Sequence, residues 1–152
     1  MKNSYLLFST ILLSLQVAAA EAPMPADKPP SYEVECASCH MAYPPSLLGQ
    51  KNWQSIMSGL DKHFGSDAGL DLKNQTEITK WLVKNASTRK KYSVFAPENR
   101  ITKSSWFIDE HDKVKADVWK RDGIKSPANC LACHTDGASG IFKEKNIRIP
   151  AK

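Results

Sequence analysis

The apolar residues of this chain change their spacing along its length. An uncharged, mostly apolar run extends from Tyr5 to Val17 and ends in Ala18-Ala19-Ala20. Residues 22–32 then carry Pro23, Pro25, Pro29 and Pro30, a composition that reads as an extended, mobile linker over 21–32. After Pro44-Pro45 a helical period sets in. Trp53, Ile56, Met57 and Leu60 recur at intervals of three and four, and His63 falls on the same stripe. This predicts a helix from an N-cap at Ser46 to about Phe64, stopped by Gly65. Residues 65–72 read as a loop. Asn74 or Thr76 is then the expected cap of a second helix whose buried face holds Ile78, Trp81 and Leu82. The polar stretch from Ala86 to Thr102, interrupted by Pro97, reads as a boundary. A third helix is predicted from Ser104 through Val118, with Phe107, His111, Val114 and Val118 on one face. Gly123 and Pro127 break the chain ahead of the second cysteine pair, and the tail beyond residue 134 has no period. The pattern is that of a mainly α chain in two small units, 33–98 and 99–152. The first is helical and the second has little regular structure.

The N-terminus fits an export signal. Lys2, a short apolar core and small residues before a cleavage point after Ala20 are its three parts. The apolar run is shorter than the roughly 20 residues that span a bilayer, and no stable membrane insertion is expected. Residues 1–20 are therefore read as a signal peptide and the destination as the periplasm, an oxidising compartment.

Four cysteines occur, and they stand in two copies of one motif: Cys36-Ala37-Ser38-Cys39-His40 and Cys130-Leu131-Ala132-Cys133-His134. Cys-x-x-Cys-His is the signature of covalent c-type haem attachment. On one helical turn, residues three and four apart share a face. The two thiols can then bond the two vinyl groups of one porphyrin while the imidazole reaches its iron. Two cysteine pairs could instead build one zinc site, and a single pair could be a thioredoxin-like redox centre. A zinc ribbon does not need His after both pairs, and the βαβ context of a thioredoxin is absent. Two covalently bound haem c groups are expected, and with all four cysteines occupied no disulfide is.

The histidine count then narrows the ligands. His40 and His134 follow the cysteines as proximal ligands, leaving only His63 and His111 for two distal positions. The simplest reading is bis-histidine ligation of both irons. Pairing in sequence order joins His40 with His63 and His134 with His111; a crossed arrangement would interlock the halves and stays open. Each half is too small to build an adequate apolar core unaided, so the porphyrins are expected to act as staples and the haem-free chain not to fold.

The formal charge of the chain is +5, or +4 without residues 1–20, which hold Lys2 and no acid. Two propionates per haem offset much of that, so nucleic-acid binding is not expected. Clusters such as Arg89-Lys90-Lys91 read as solvated surface. No Ser-His-Asp set, phosphate loop or acidic metal loop stands out.

These residues resemble the small periplasmic dihaem cytochrome c family. The resemblance lies in the run from Cys36 to Leu48, in Trp53-Gln-Ser-Ile-Met57, His63-Phe-Gly65 and Arg100-Ile-Thr with Trp106-Phe107, and in Asn129-Cys-Leu-Ala-Cys-His134. Gly140-Ile-Phe142 and Ile147-Arg-Ile-Pro150 continue it. It spans nearly all of residues 33–150. The resemblance implies two haem domains, the first cytochrome c-like and helical, the second largely irregular. It implies His40, His63, His111 and His134 as iron ligands. As redox partner proteins it implies an oxygen-binding monohaem cytochrome c and a membrane cytochrome b.

The expected activity is electron transfer without bond chemistry. Iron with two strong ligands has no site for substrate, and His in place of Met as sixth ligand lowers the reduction potential. The rival is a dihaem enzyme, peroxidase- or reductase-like, with one displaceable ligand. Met57 is its conceivable sixth ligand, although its place on the Trp53 stripe favours core packing.

Overall fold

The structure is a computed structural model that describes residues 22–151. The expected signal peptide lies outside the described residues. Five α-helices are present among them: α1 Pro30–Cys36, α2 Gln50–Met57, α3 Leu72–Asn85, α4 Lys90–Ser93 and α5 Ser105–Glu110. Single 3₁₀ turns connect them, and beyond α5 the described residues hold only such turns. The one β feature among them is a bridge between His63 and Ser66. The mainly α expectation, with little regular structure in the C-terminal part, matches this architecture.

The core is built where α2 and α3 face each other. Trp53 and Met57 of α2 and Ile78, Trp81 and Leu82 of α3 are buried together with Tyr32, Ala42, Leu48 and Leu60. Each such large apolar side chain contributes about 1.5–3 kcal/mol on leaving water. Met57 is thus a core residue packed between helices. Asp71 caps α3 by accepting the Asn74 N–H at 3.0 Å, so the cap lies three residues ahead of Asn74 and five ahead of Thr76. An aspartate before an apolar run satisfies one of the orphan N–H groups of the first turn.

Three predicted segments differ. The single helix expected over 46–64 is a 3₁₀ turn at Pro45–Leu47, then α2, then a 3₁₀ turn at Leu60–Lys62. Gly49 is the N-cap of α2 because a Cβ there would approach Ser93 O to 2.8 Å; Ser46 does not cap it. Gly59, at φ −130°, ψ 33°, ends the helical course, since glycine resists helix continuation by about 1 kcal/mol. The third helix is six residues long rather than fifteen. Ser104 caps it as expected, but the backbone turns at His111, leaving Val114 outside the helix and Val118 in a separate 3₁₀ turn. Residues 22–32 are not a free linker: α1 begins at Pro30, where a fixed φ suits the first helical turn. Asp27 accepts from Trp81 Nε1 at 3.2 Å and from Lys84 Nζ at 2.6 Å, and Ala22 N–H donates to Gly140 O at 3.0 Å.

The polar stretch 86–102 also packs. Ala86, Ser87, Tyr92 and Ala96 are buried within it. Asn52, fully buried on α2, donates to Ala96 O (3.0 Å) and to Asn99 Oδ1 (2.9 Å) and accepts the Ala96 N–H (3.0 Å). Those bonds hold Glu98 and Asn99 at φ +53° and +58°, a left-handed pair that non-glycine residues seldom adopt.

Candidate haem sites

The first cysteine motif begins where α1 ends. Cys36 is the last helical residue, residues 37–39 continue as a turn, and His40 emerges into solvent contact. The second motif is a 3₁₀ turn at Cys130–Ala132, with the Cys133 and His134 amides both donating to Cys130 O at 3.2 and 2.8 Å. The chain's own tail crosses it, as Arg148 N–H donates to Cys133 O at 2.9 Å. All four cysteines are unbridged. Among the described residues no group of three or more His, Cys, Asp or Glu converges as a metal-ion cluster.

The histidine of each motif faces a second imidazole. The ring centres of His40 and His63 lie 6.1 Å apart with planes 32° from parallel. Those of His111 and His134 also lie 6.1 Å apart, with planes at 79°. The pairing is the one in sequence order, and the crossed arrangement is not formed. An imidazole nitrogen sits about 2.0 Å from its metal and about 1.1 Å in front of its ring centre, so two imidazoles on one ion have centres about 6 Å apart. The separations leave room for one iron in each pair.

The second imidazoles are placed by unlike means. His63 follows the Leu60–Lys62 turn, and the next two residues, Phe64 at φ +51° and Gly65 at φ +101°, reverse the chain. It thus stands on a tight turn closed by Ser66 N–H donating to His63 O at 3.0 Å, not on the helical stripe expected. His111 caps the C-terminus of α5, where its ring stacks on Phe107 at 4.0 Å. Its Nδ1 donates to Phe107 O at 2.8 Å, and His40 Nδ1 donates to Met41 O at 2.7 Å. A carbonyl can only accept, so Nδ1 carries a proton in both rings and Nε2 is the nitrogen left to face a metal. Such backbone bonds commonly orient metal-bound histidines.

The electrostatics favour neutral imidazoles. Burial, then His40 and Arg100, hold the His63 pKa below the ordinary histidine value. Burial, then His111, do the same for His134. A neutral ring keeps the lone pair a metal needs. Burial, with Glu35 and Glu33 adding to it, pushes the Cys36 thiol up to about 11, and burial also pushes Cys130 up to about 11. Redox-active thiols are tuned in the opposite direction, so the cysteines do not read as a thioredoxin-type centre.

Several residues around the sites have no role that the sequence alone reveals. Tyr43 stacks on His40 at 4.9 Å and 29°. Burial, then Cys130, push its phenol well above the ordinary range. Phe64 lies 4.7 Å from His63 and is covered on one face by the Arg100 guanidinium at 4.3 Å. Trp119 lies 5.8 Å from His111, and Phe142 lies 5.3 Å from His134. Tyr43 and Phe64 stand close in sequence to His40 and His63, which is a usable signal. Arg100 and Trp119 reach their places only through the fold.

Two turns bearing Cys-x-x-Cys-His, each facing a further imidazole across the span of one metal, define a c-type cytochrome with two haem sites. The sequence profile of the family described as dihaem cytochrome c matches residues 32–142. The chain is similar to a solved dihaem cytochrome c from Shewanella baltica OS155, with 34% identity, 80% of this chain and 92% of that chain covered, and a TM-score of 0.71. It is similar to a structure of DHC purified from Rhodobacter sphaeroides, with 38% identity, 76% and 97% covered, and a TM-score of 0.66. A second dihaem cytochrome c structure from Rhodobacter sphaeroides gives 35% identity, 79% and 99% covered, and a TM-score of 0.68. No curated protein matches. The chain belongs to the dihaem cytochrome c family. It carries two covalently bound haem c groups, and the family's chemistry is electron transfer.

Proposed function

We propose that this chain is a low-potential periplasmic electron carrier that relays electrons from a membrane or soluble donor to a partner haem protein. The observation that carries the reading is the pair of 6.1 Å imidazole gaps, each of which would admit one iron between two histidines. Each haem supplies a one-electron Fe(III)/Fe(II) couple when bound. Cys36 and Cys39 would hold the first group and Cys130 and Cys133 the second. His40 and His63 would ligate the first iron, and His134 and His111 the second. Two strong donors on each iron would leave substrate no place to bind, which argues against the peroxidase- or reductase-like alternative. Histidine rather than methionine at both distal positions also favours a low potential, because Met/His ligation raises it.

A periplasmic location is supported by the haem-attachment chemistry of the two motifs. Among the described residues no helix is long and apolar enough to cross a membrane. An oxygen-binding monohaem cytochrome c as acceptor and a membrane cytochrome b as donor are the partners proposed, as the family resemblance implies.

The test is an optical and electron paramagnetic resonance (EPR) study of the purified protein with haem quantified as the pyridine haemochrome. Two low-spin haems per chain, no carbon monoxide binding and two low midpoints are expected. A high-spin signal, or carbon monoxide binding at one haem, would overturn bis-histidine ligation there and return the enzyme reading.

A further inference from the structure

We infer that Tyr43 is a positioning residue that couples the two haem sites, its ring setting the His40 imidazole and its hydroxyl holding the turn that bears Cys130. The inference rests on the bis-histidine reading above.

Three contacts converge on this one side chain. Its ring stacks on His40 at 4.9 Å with planes 29° apart. Its hydroxyl donates to Ala128 O at 2.9 Å, across 85 positions of sequence. Cys130 Sγ lies 3.7 Å from that same carbonyl. A phenol ring is rigid, so the orientation of His40 and the placement of the Ala128–Cys130 turn are not independent.

The base of the side chain is itself fixed. Tyr32, buried in the core, donates its hydroxyl to Tyr43 O at 2.6 Å. Pro44 and Pro45 follow, both fully buried, and their rings hold the backbone dihedrals there. The Met-Ala-Tyr-Pro-Pro segment after the first motif thereby gains a purpose that attachment alone does not give it. It carries a strut from the first haem turn to the second. Tyr43 neither gains nor loses an electron or a proton in this role. One electron lost at one centre is gained at the other, and the phenol stays neutral.

The imidazole planes make the two centres separately observable. Near-parallel rings (32°) and near-perpendicular rings (79°) give low-spin ferric haem different EPR signatures. The experiment compares haem-loaded wild type with Tyr43→Phe and Tyr43→Leu. Phe keeps the stack and loses the hydroxyl; Leu loses both. In Tyr43→Phe the EPR signal of the His40–His63 centre is retained. Electron exchange between the haems, followed after a flash-induced single reduction, slows severalfold. Amide exchange at Asn129 rises about fivefold, the ratio that one net hydrogen bond corresponds to. In Tyr43→Leu the EPR signal of the His40–His63 centre also shifts while that of the His111–His134 centre does not. Two low-spin haems in Tyr43→Leu with an unshifted first signal and an unchanged exchange rate would overturn the inference, whatever the loss of stability. A high-spin haem in wild type would instead overturn the bis-histidine reading itself.

Discussion

Replacing Asn52 by leucine tests how the first haem site is held. Asn52 is 0% exposed, and so is Ala96, whose N–H and C=O both bond to its side-chain amide. Leucine has the same heavy-atom branching and none of the polar atoms, so the change strands the buried Ala96 N–H without opening a cavity, while the Ala96 C=O keeps the Asn99 N–H at 3.0 Å. The stranded N–H costs about 1–3 kcal/mol, and the two bonds that Asn52 donates contribute about 1 kcal/mol each. Leucine's greater apolar burial returns part of that, on the order of 1–2 kcal/mol. The net loss is about 2.5 kcal/mol, a large share of the 5–15 kcal/mol typical of a small domain. In guanidinium chloride, with a slope of about 4 kcal/mol per molar, the midpoint of the haem-loaded protein should fall by about 0.6 M. A second consequence is local to the site. Asn52 also donates to Asn99, whose left-handed backbone follows that of Glu98 and leads to Arg100 over the Phe64 ring. Freed of Asn52, this segment relaxes and takes the Arg100 charge away from His63. The midpoint potential of the first haem should fall, because a nearby cation favours the electron-rich state. The second haem, whose histidines stand on other segments, should keep its value. A stability loss under about 1 kcal/mol, or equal shifts at both haems, would refute the reasoning.

Four further outcomes are expected. His63→Ala and His111→Ala should each convert one haem to a high-spin, carbon monoxide-binding form and leave the other low-spin, read by EPR and difference spectra. Substituting both Cys130 and Cys133 by alanine should abolish tertiary order beyond α5, where the described residues hold only 3₁₀ turns; dispersed amide NMR signals from residues 118–150 would contradict this. Gly140→Ala places a Cβ 1.9 Å from Ala22 O at a backbone φ of +77°, so it should expel the N-terminal segment and expose residues 22–29 to protease, with both haems retained. Lys84 and then Trp81, by hydrogen bonding, hold the Asp27 carboxyl below its ordinary value of 3.8. Its stabilising effect is therefore present above about pH 4 and is lost as pH falls through the lower folded-state value. Amide protection factors in residues 22–29, corrected for the intrinsic pH dependence of exchange, should fall over that acid range in wild type and stay level in Asp27→Asn.

The amino-acid sequence by itself determined the chemistry. Two Cys-x-x-Cys-His motifs consume every cysteine, and the remaining histidines equal the remaining iron positions. Such local spacing is enforced by one turn of backbone and is legible without a fold. The α2 and α3 faces were equally legible, since Trp53, Met57, Ile78, Trp81 and Leu82 follow the helical period that burial demands. What only the tertiary structure decided was which imidazole faces which, because proximity between residues 23 positions apart is set by packing and not by spacing. Helix ends departed from expectation for the same reason. Gly49 must admit the Ser93 backbone, and that is a contact with a distant segment. The burial of 86–102 depends on Asn52 reaching across from α2 to Ala96. The strut from His40 to Cys130 through Tyr43 likewise exists only once two turns 85 residues apart share one carbonyl. Local rules placed the donors, and long-range packing chose their partners.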